Sequence, residues 1–337
     1  MKVAVFNTKK YDREFLEEAN RDQGHELIFF EPHLTSETCK LAFGFEAICV
    51  FVNDRLDKQT LTLLAENGIR LIALRCAGFN NVDLQTASDL GITIARVPAY
   101  SPHGVAEHAV ALILALNRKI YRAHNRVRDG NFSIDGLLGF ELYGKNIGII
   151  GTGNIGSNIA RIMKGFGANV LAYDPISNPD CIRIGIKYFT LGELFEQSDI
   201  ISLHLPLTHD THHIINKDAL DQMKKGAMLI NTSRGGLVDT SAVIEALKSG
   251  KVGYLGLDVY EEEEELFFED LSGHILQDDT FARLLTFPNV VITGHQAFFT
   301  KEALKDIAET TIANIISFEH HGKVMPENEV KAERIKN

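Results

Sequence analysis

The residues of this chain best suited to chemistry are Arg234, His295 and a run of five glutamates, Glu261–Glu265. Each follows an apolar stretch of strand character, the place where open parallel sheets bind ligands. In Leu229-Ile230-Asn231-Thr232-Ser233-Arg234-Gly235-Gly236 an arginine and two glycines close such a strand. A guanidinium fork at that point can grip a carboxylate through two parallel charge-assisted hydrogen bonds. In Val291-Ile292-Thr293-Gly294-His295-Gln296-Ala297-Phe298 a histidine stands just beyond another strand. Alone it reads equally well as a capped core residue. Beside a carboxylate it becomes a general acid, because an imidazole changes charge near neutral pH. The glutamates follow Gly256-Leu257-Asp258-Val259-Tyr260. Taken by themselves they describe a solvated face, and the run leaves the register of any one of them open.

A second group of residues is laid out for a dinucleotide. Asn146-Ile147-Gly148-Ile149-Ile150 runs into Gly151-Thr152-Gly153-Asn154-Ile155-Gly156, and a helical pattern continues to about Phe166. Gly151 suits the tight turn, Gly153 lets the backbone approach a pyrophosphate, and Gly156 lets the helix pack against its strand. The pyrophosphate would then lie on the free N–H groups of the helix N-terminus. Asp174 ends the next strand, Asn169–Tyr173, eighteen residues after Gly156. Its carboxylate can accept hydrogen bonds from ribose hydroxyls and would repel a 2′-phosphate, and Pro175-Ile176-Ser177 offer no arginine to bind one. The expected cofactor is NAD(H).

The elements that must position these groups alternate along the whole chain. Strands are expected at Val3–Asn7, Leu27–Phe30, Ala47–Val52, Leu71–Arg75 and Thr93–Arg96, with helical patterns such as Arg13–Asn20 and Leu84–Leu90 between them. Later strands are expected at Ile200–Leu205, Met228–Thr232, Leu255–Val259 and Val290–Thr293. Such alternation specifies parallel sheets with helices on both faces. An apolar helix opens at Ser101-Pro102 and runs to about Arg118; its composition places it between domains or between subunits, and a homodimer interface is expected there. A last helix, Lys301–Glu319, is expected to return to the N-terminal unit. Residues 1–99 and 298–337 would then form one domain around an inserted domain of residues 100–297.

With 45% hydrophobic and 23% charged residues the 337-residue chain is of the soluble globular type. Its net charge of −11 argues against nucleic acid or an anionic membrane surface as partner. Scattered Cys39, Cys49, Cys76 and Cys181 fit free thiols in a reducing compartment. The chain opens directly on a strand, without a signal-peptide layout or an apolar run of spanning length, so a cytoplasmic location is expected. No metal is expected, since His212-His213 and His320-His321 are adjacent pairs in polar stretches without a carboxylate at ligand spacing.

In its ordered motifs the chain resembles the D-isomer-specific 2-hydroxyacid dehydrogenases. The resemblance covers essentially the whole length. It rests on Arg75-Cys76-Ala77-Gly78-Phe79-Asn80-Asn81-Val82-Asp83, Val97-Pro98-Ala99-Tyr100-Ser101-Pro102, Gly151–Gly156, Asn231–Gly235, Asp258-Val259-Tyr260-Glu261 and Gly294–Phe298. Val324-Met325-Pro326-Glu327-Asn328-Glu329-Val330 is also similar, with one residue more than the usual Pro-Asn-Glu. The expected fold is a Rossmann NAD-binding domain inserted into a flavodoxin-like substrate domain, and the apolar helix makes a homodimer or higher homo-oligomer the expected assembly.

Carried over, the family's arginine, glutamate and histidine fall on Arg234, Glu263 and His295. Glu263 is taken because it lies five residues after Asp258, with Glu262 and Glu264 as the neighbouring registers. Cofactor contacts fall on Asn154, Ile155, Asp174, Leu205, Pro206, Thr211, Thr232, Ser233, Arg234 and Asp258. Thr211 departs from the asparagine frequent in close relatives. The Cys76-Ala77-Gly78 loop and Tyr100 match the part of the first domain that closes on the substrate. The implied reaction is reduction of a 2-oxo acid by NADH. Within the family the chain looks like the enzymes that convert pyruvate to D-lactate; larger acids such as 2-oxoisocaproate or phenylpyruvate are the alternative. Formate dehydrogenases of this superfamily lack the glutamate, phosphoglycerate dehydrogenases usually carry a basic pocket, and the corepressor relatives bring recruiting tails, none of which matches this chain.

Overall fold

In the computed structural model, which describes residues 1–263 and 266–332, the chain divides into two units. One comprises Met1–Ser101 and Phe299–Asn337, the other Pro102–Phe298.

The first unit opens with β1 (Lys2–Val5), α1 (Lys10–Asn20), β2 (Glu26–Phe29), β3 (Ala47–Val50), α2 (Lys58–Glu66), β4 (Leu71–Leu74), α3 (Leu84–Asp89) and β5 (Thr93–Ala95). β3 and β4 read Ala-Ile-Cys-Val and Leu-Ile-Ala-Leu, and all eight residues are buried. Continuous apolar runs of this kind mark parallel strands covered on both faces. Asp57 and Asp83 cap α2 and α3 by accepting from the N–H groups of Thr60 and Thr86.

The second unit begins with α4 (Pro102–Arg118) and α5 (Ile120–Arg128), then β6 (Asn146–Ile150), α6 (Asn154–Gly165), β7 (Asn169–Tyr173), α7 (Pro179–Arg183), β8 (Lys187–Tyr188), α8 (Leu191–Gln197) and β9 (Ile200–Leu203). It continues through α9 (Lys217–Gln222), β10 (Ala227–Asn231), α10 (Thr240–Ser249), β11 (Val252–Leu257), α11 (Asp279–Leu285) and β12 (Val290–Ile292). The strand order is β12-β11-β10-β9-β6-β7-β8, every pair parallel. Numbered within the unit, β8-β7-β6-β9-β10-β11 is the 3-2-1-4-5-6 order of dinucleotide-binding folds, which reverses direction between β6 and β9.

The chain then returns to the first unit. α12 (Lys301–His321) packs against α1 and β4, and β13 (Glu329–Val330) pairs antiparallel with β5. The sheet order β13-β5-β4-β3-β1-β2 contains the flavodoxin-like 2-1-3-4-5 arrangement plus this one antiparallel edge. All four cysteines are free and buried. Among the described residues no helix is long and apolar enough to cross a membrane.

The expectation for α4 needs correction. The helix does not present an open apolar face: Ala106, Ala109, Val110, Leu112, Ile113 and Leu116 are buried within its own unit. They pack against α6, β10 and β11. Its outward positions are His103, Glu107, Ala111 and Arg118. A broad apolar face satisfies an internal helix layer as well as an interface, and here the layer accounts for it.

Candidate active site

The strands of the second unit deliver the candidate residues to one edge of the sheet. β6 ends at Gly151, β9 at His204-Leu205-Pro206, β10 at Thr232-Ser233-Arg234, β11 at Asp258 and β12 at Thr293-Gly294-His295. All are carboxyl ends of parallel strands, where such sheets bind ligands.

The phosphate-binding turn has the space its sequence calls for. Gly151 has φ +91°, and a Cβ there would lie 2.4 Å from the His204 carbonyl oxygen. A Cβ on Gly156 would lie 1.9 Å from the Gly151 carbonyl oxygen, so the helix can approach the strand only through glycine. At Gly153, which caps α6, a Cβ would meet nothing within 4 Å, and no acidic residue occupies the first turn. That open cradle over a helix N-terminus fits a pyrophosphate.

Asp174 stands at the end of β7. One oxygen accepts from the Thr152 N–H at 2.7 Å and its hydroxyl at 3.1 Å, and the other from the Ile176 N–H at 3.0 Å. Asn178 and Tyr188 bind the same threonine. Sequence spacing had suggested only a ribose acceptor; the carboxylate also ties the second strand to the glycine turn. Ile176 is 82% exposed, so a larger side chain there disturbs no core. We therefore expect Asp174→Ser with Ile176→Arg to raise the NADPH:NADH ratio of kcat/KM about tenfold or more, two or three interactions being exchanged. An unchanged ratio would remove Asp174 from the cofactor reading.

The turn after β10 is braced from beneath. Buried Asn231 donates through Nδ2 to the Arg234 carbonyl at 2.8 Å and accepts from the Ser233 N–H at 3.0 Å. Ser233 donates to the Leu205 carbonyl, joining this turn to the end of β9. Arg234 is half-buried, with Nη1 2.6 Å from the Ser233 carbonyl. The next residue, Gly235, abuts the loop after β11: a Cβ on it would lie 2.0 Å from the Tyr260 carbonyl oxygen.

That loop carries the glutamate. Glu263 Oε2 accepts from the Tyr260 N–H at 2.9 Å, and its Oε1 lies 2.8 Å from Nδ1 of His295. The two side chains are only 21% and 16% exposed. Glu261 turns elsewhere, to His213 and Thr240. Glu264 lies outside the described residues. His295 has φ +50°, an uncommon backbone state for a non-glycine residue and one that concentrates at functional sites. The rings of Phe268 and Phe298 flank it at 5.7 and 6.3 Å. Phe268, five residues after Glu263 but in none of the motifs, is a neighbour that sequence reading missed. His204 is no rival acid, because complete burial pushes it down to about 3.

Asp258 is the anchor of the histidine turn. It is fully buried and accepts from the N–H groups of Gln296 at 2.9 Å and Ala297 at 2.8 Å and from the Thr293 hydroxyl. His108 Nε2 lies 3.3 Å from the same carboxylate. Burial alone would raise this carboxyl, yet its contacts with His108, Thr293, Ala297 and Gln296 hold it below the usual range. A depressed folded value means stability that is present above the ordinary aspartate range and lost as pH falls through the folded value. Asp258→Ala, which leaves two buried N–H groups without an acceptor, should cost about 2–4 kcal/mol at neutral pH. The difference from wild type in urea midpoint should narrow in acid; a constant difference would show that charge plays no part.

The other expected substrate contacts lie in the first unit. Cys76 is buried and its Sγ donates to the Gly78 carbonyl at 3.3 Å, while Arg96 donates to the Ala77 carbonyl at 3.0 Å. Buried Arg75 sets the base of this loop, bonding Asp12 at 3.1 Å and the Asn7 carbonyl at 2.7 Å over the Phe51 ring. Burial alone would lower its pKa, but Asp12 and its neighbours raise it above the ordinary arginine value. Tyr100 is half-buried in the segment after β5. Thr211 uses its hydroxyl within its own loop, on the Pro206 carbonyl at 2.7 Å.

The expectation that the adjacent histidines lack a carboxylate is also corrected. Glu261, 48 residues along the chain, places Oε1 2.6 Å from Nε2 of His213.

Comparison with known proteins gives the family. The family model described as D-isomer specific 2-hydroxyacid dehydrogenase, NAD binding domain, matches residues 110–297. The chain is 52% identical to the D-lactate dehydrogenase of Escherichia coli (strain K12), over 95% of this chain and 97% of that one. A solved structure identified as the pyruvate reductase of Chlamydomonas reinhardtii is similar at a TM-score of 0.90 and 47% identity, covering 94% of this chain and 96% of that one. The D-lactate dehydrogenase of Aquifex aeolicus, solved with NAD and lactic acid, is similar at a TM-score of 0.85 and 36% identity, covering 96% and 98%.

Proposed function

This chain belongs to the D-isomer-specific 2-hydroxyacid dehydrogenases, with NAD as cofactor, and from that premise we propose that it reduces pyruvate to D-lactate, reversibly, through Arg234, Glu263 and His295. The observation that carries the proposal is the 2.8 Å pairing of Glu263 with His295 at the strand ends, beside the turn that bears Arg234.

The residues suited to hold the cofactor are Gly151, Gly153, Asn154, Ile155 and Gly156 at the pyrophosphate and Asp174 at the ribose. Leu205, Pro206, Thr211, Thr232, Ser233 and Asp258 stand along the remaining strand ends. When bound, NADH supplies the hydride that becomes attached to C2 of the 2-oxo acid. Arg234 grips the substrate carboxylate with its planar fork, and its charge favours electron density on the neighbouring carbonyl oxygen. Nδ1 of His295 faces Glu263, which leaves Nε2 to give its proton to that oxygen during reduction and to take it back during oxidation. Glu263 fixes the ring's tautomer and favours its charged form, as the carboxylate does in a hydrolase triad. Cys76, Ala77, Gly78 and Tyr100 enter the same proposal as substrate contacts.

The flanking rings of Phe268 and Phe298 favour a second reading, in which a larger acid such as 2-oxoisocaproate or phenylpyruvate is preferred. One methylene changes binding by only about 1–3 kcal/mol. Measuring kcat/KM with NADH across a panel of 2-oxo acids separates the two: pyruvate should rank first, and a bulkier acid ranking above it would transfer the assignment.

We further propose a homo-oligomer formed through residues 120–143. Phe132, Ile134 and Leu138 are 76%, 81% and 86% exposed, with Tyr143 and Val127 also open. Large apolar side chains gathered in one exposed segment mark an association surface. Phe132→Lys with Ile134→Lys should convert a dimer or larger species to monomer by light scattering at micromolar concentration. A wild-type monomer, or an unchanged mass in the variant, would overturn this.

A further inference from the structure

Two neighbouring histidines on the loop after β9 and one glutamate from the loop after β11 form a cluster that the dehydrogenase reaction does not use. His212, His213 and Glu261 each offer one ligand atom, and these atoms lie within 4.8 Å of one another. Consecutive side chains normally diverge. Here His213 has φ +50°, and the two imidazoles stack on the same side with centroids 3.9 Å apart and planes 24° from parallel.

The backbone that presents them is fixed. The His213 N–H donates to the Gly236 carbonyl at 2.8 Å, and Ile215 forms a parallel bridge with Val238. Glu261 is held from its far side, where the Thr240 hydroxyl donates to Oε2 at 3.2 Å, leaving Oε1 toward His213. The side chains of His213 and Glu261 are about one-third exposed, and His212 is exposed, so a hydrated cation has access.

From this geometry we propose that His212, His213 and Glu261 bind one divalent transition-metal ion of the zinc, cobalt or nickel class, with water completing the shell. Two imidazoles and one carboxylate are the donor set such ions favour; magnesium and calcium prefer all-oxygen sites. In a tetrahedral site ligand atoms about 2.1 Å from the metal stand about 3.4 Å apart. The cluster reaches that spacing by rotation of partly exposed side chains. Binding balances simply: the proton shared between His213 Nε2 and Glu261 passes to Nδ1 or to solvent, and the cation takes its place. The ion would join the loop after β9 to the loop after β11, two residues before Glu263. The site does not depend on which 2-oxo acid is reduced.

The test uses the full-length protein without an affinity tag, stripped with chelator. Zinc is titrated by equilibrium dialysis and cobalt by visible absorption. One ion per chain should bind, and zinc should raise the melting temperature because it binds only the folded state. His212→Asn, at an exposed position, keeps the His213–Glu261 contact and should weaken zinc at least about tenfold, as should Glu261→Gln. Both variants should lose the zinc-dependent rise in melting temperature while keeping the wild-type circular dichroism spectrum. Zinc affinity unchanged in His212→Asn, no stoichiometric binding to wild type, or an equal response to magnesium would each overturn the proposal.

Discussion

Replacing Arg234 by lysine is expected to lower kcat/KM for pyruvate about 10²–10³-fold, the range for removing one preorganised group that stabilises developing charge. The fold and NADH affinity should stay close to wild type, because the Asn231 side chain and the Ser233 hydroxyl still hold the turn when the guanidinium's own bond to the Ser233 carbonyl is lost. A lysine retains the positive charge but offers a point ammonium in place of a planar fork. The loss should therefore fall on kcat as well as KM, since in the proposed mechanism the guanidinium both orients the carboxylate and polarises the adjoining carbonyl. Near-normal turnover by Arg234→Lys would remove this residue from the catalytic set.

His295→Ala should cost about 10²–10⁴-fold in pyruvate reduction, the usual span for a general acid. Glu263 acts through the ring, so combining Glu263→Gln with His295→Ala should be little worse than His295→Ala alone. Reduction consumes a proton and oxidation releases one. The rate of reduction should accordingly decline with rising pH, and lactate oxidation should show the opposite trend. Glu263→Gln removes the carboxylate that fixes the ring through Nδ1, so it should lower kcat for reduction while leaving NADH affinity close to wild type. If the losses from Glu263→Gln and His295→Ala simply multiply, the two residues do not work as a unit. If Glu262→Gln lowers kcat and Glu263→Gln does not, the register within the acidic run is wrong.

The fold was legible wherever local signals sufficed. Ala47–Val50, Leu71–Leu74 and Ala227–Asn231 are uninterrupted apolar runs between polar turns, and such runs are what doubly covered parallel strands require. The chain passes from one unit to the other at Ser101/Pro102 and Phe298/Phe299. Short elements escaped: β8 and β13 have two residues each, too few to show a period. α4 was assigned to an interface because hydrophobicity reports burial without naming the partner surface.

At the site, Arg234 stood out because an arginine followed by two glycines at the end of an apolar strand has little structural purpose, whereas His295 became a candidate only together with a carboxylate. Glu263 did not stand out, since five glutamates in a row look alike to any periodicity. Only the fold shows that it bonds the Tyr260 N–H and meets His295 while Glu261 turns to His213. The same limit hid the His212–His213–Glu261 cluster, whose parts lie 48 residues apart and come together through the pairing of β9, β10 and β11.

The most direct test of the account is the chirality of the product formed from pyruvate and NADH by the purified full-length protein. The account predicts lactate that is essentially all the D-isomer, formed in step with NADH oxidation and slowed at least about 100-fold in His295→Ala. L-lactate, or no turnover of pyruvate by a folded protein that binds NADH, would contradict it.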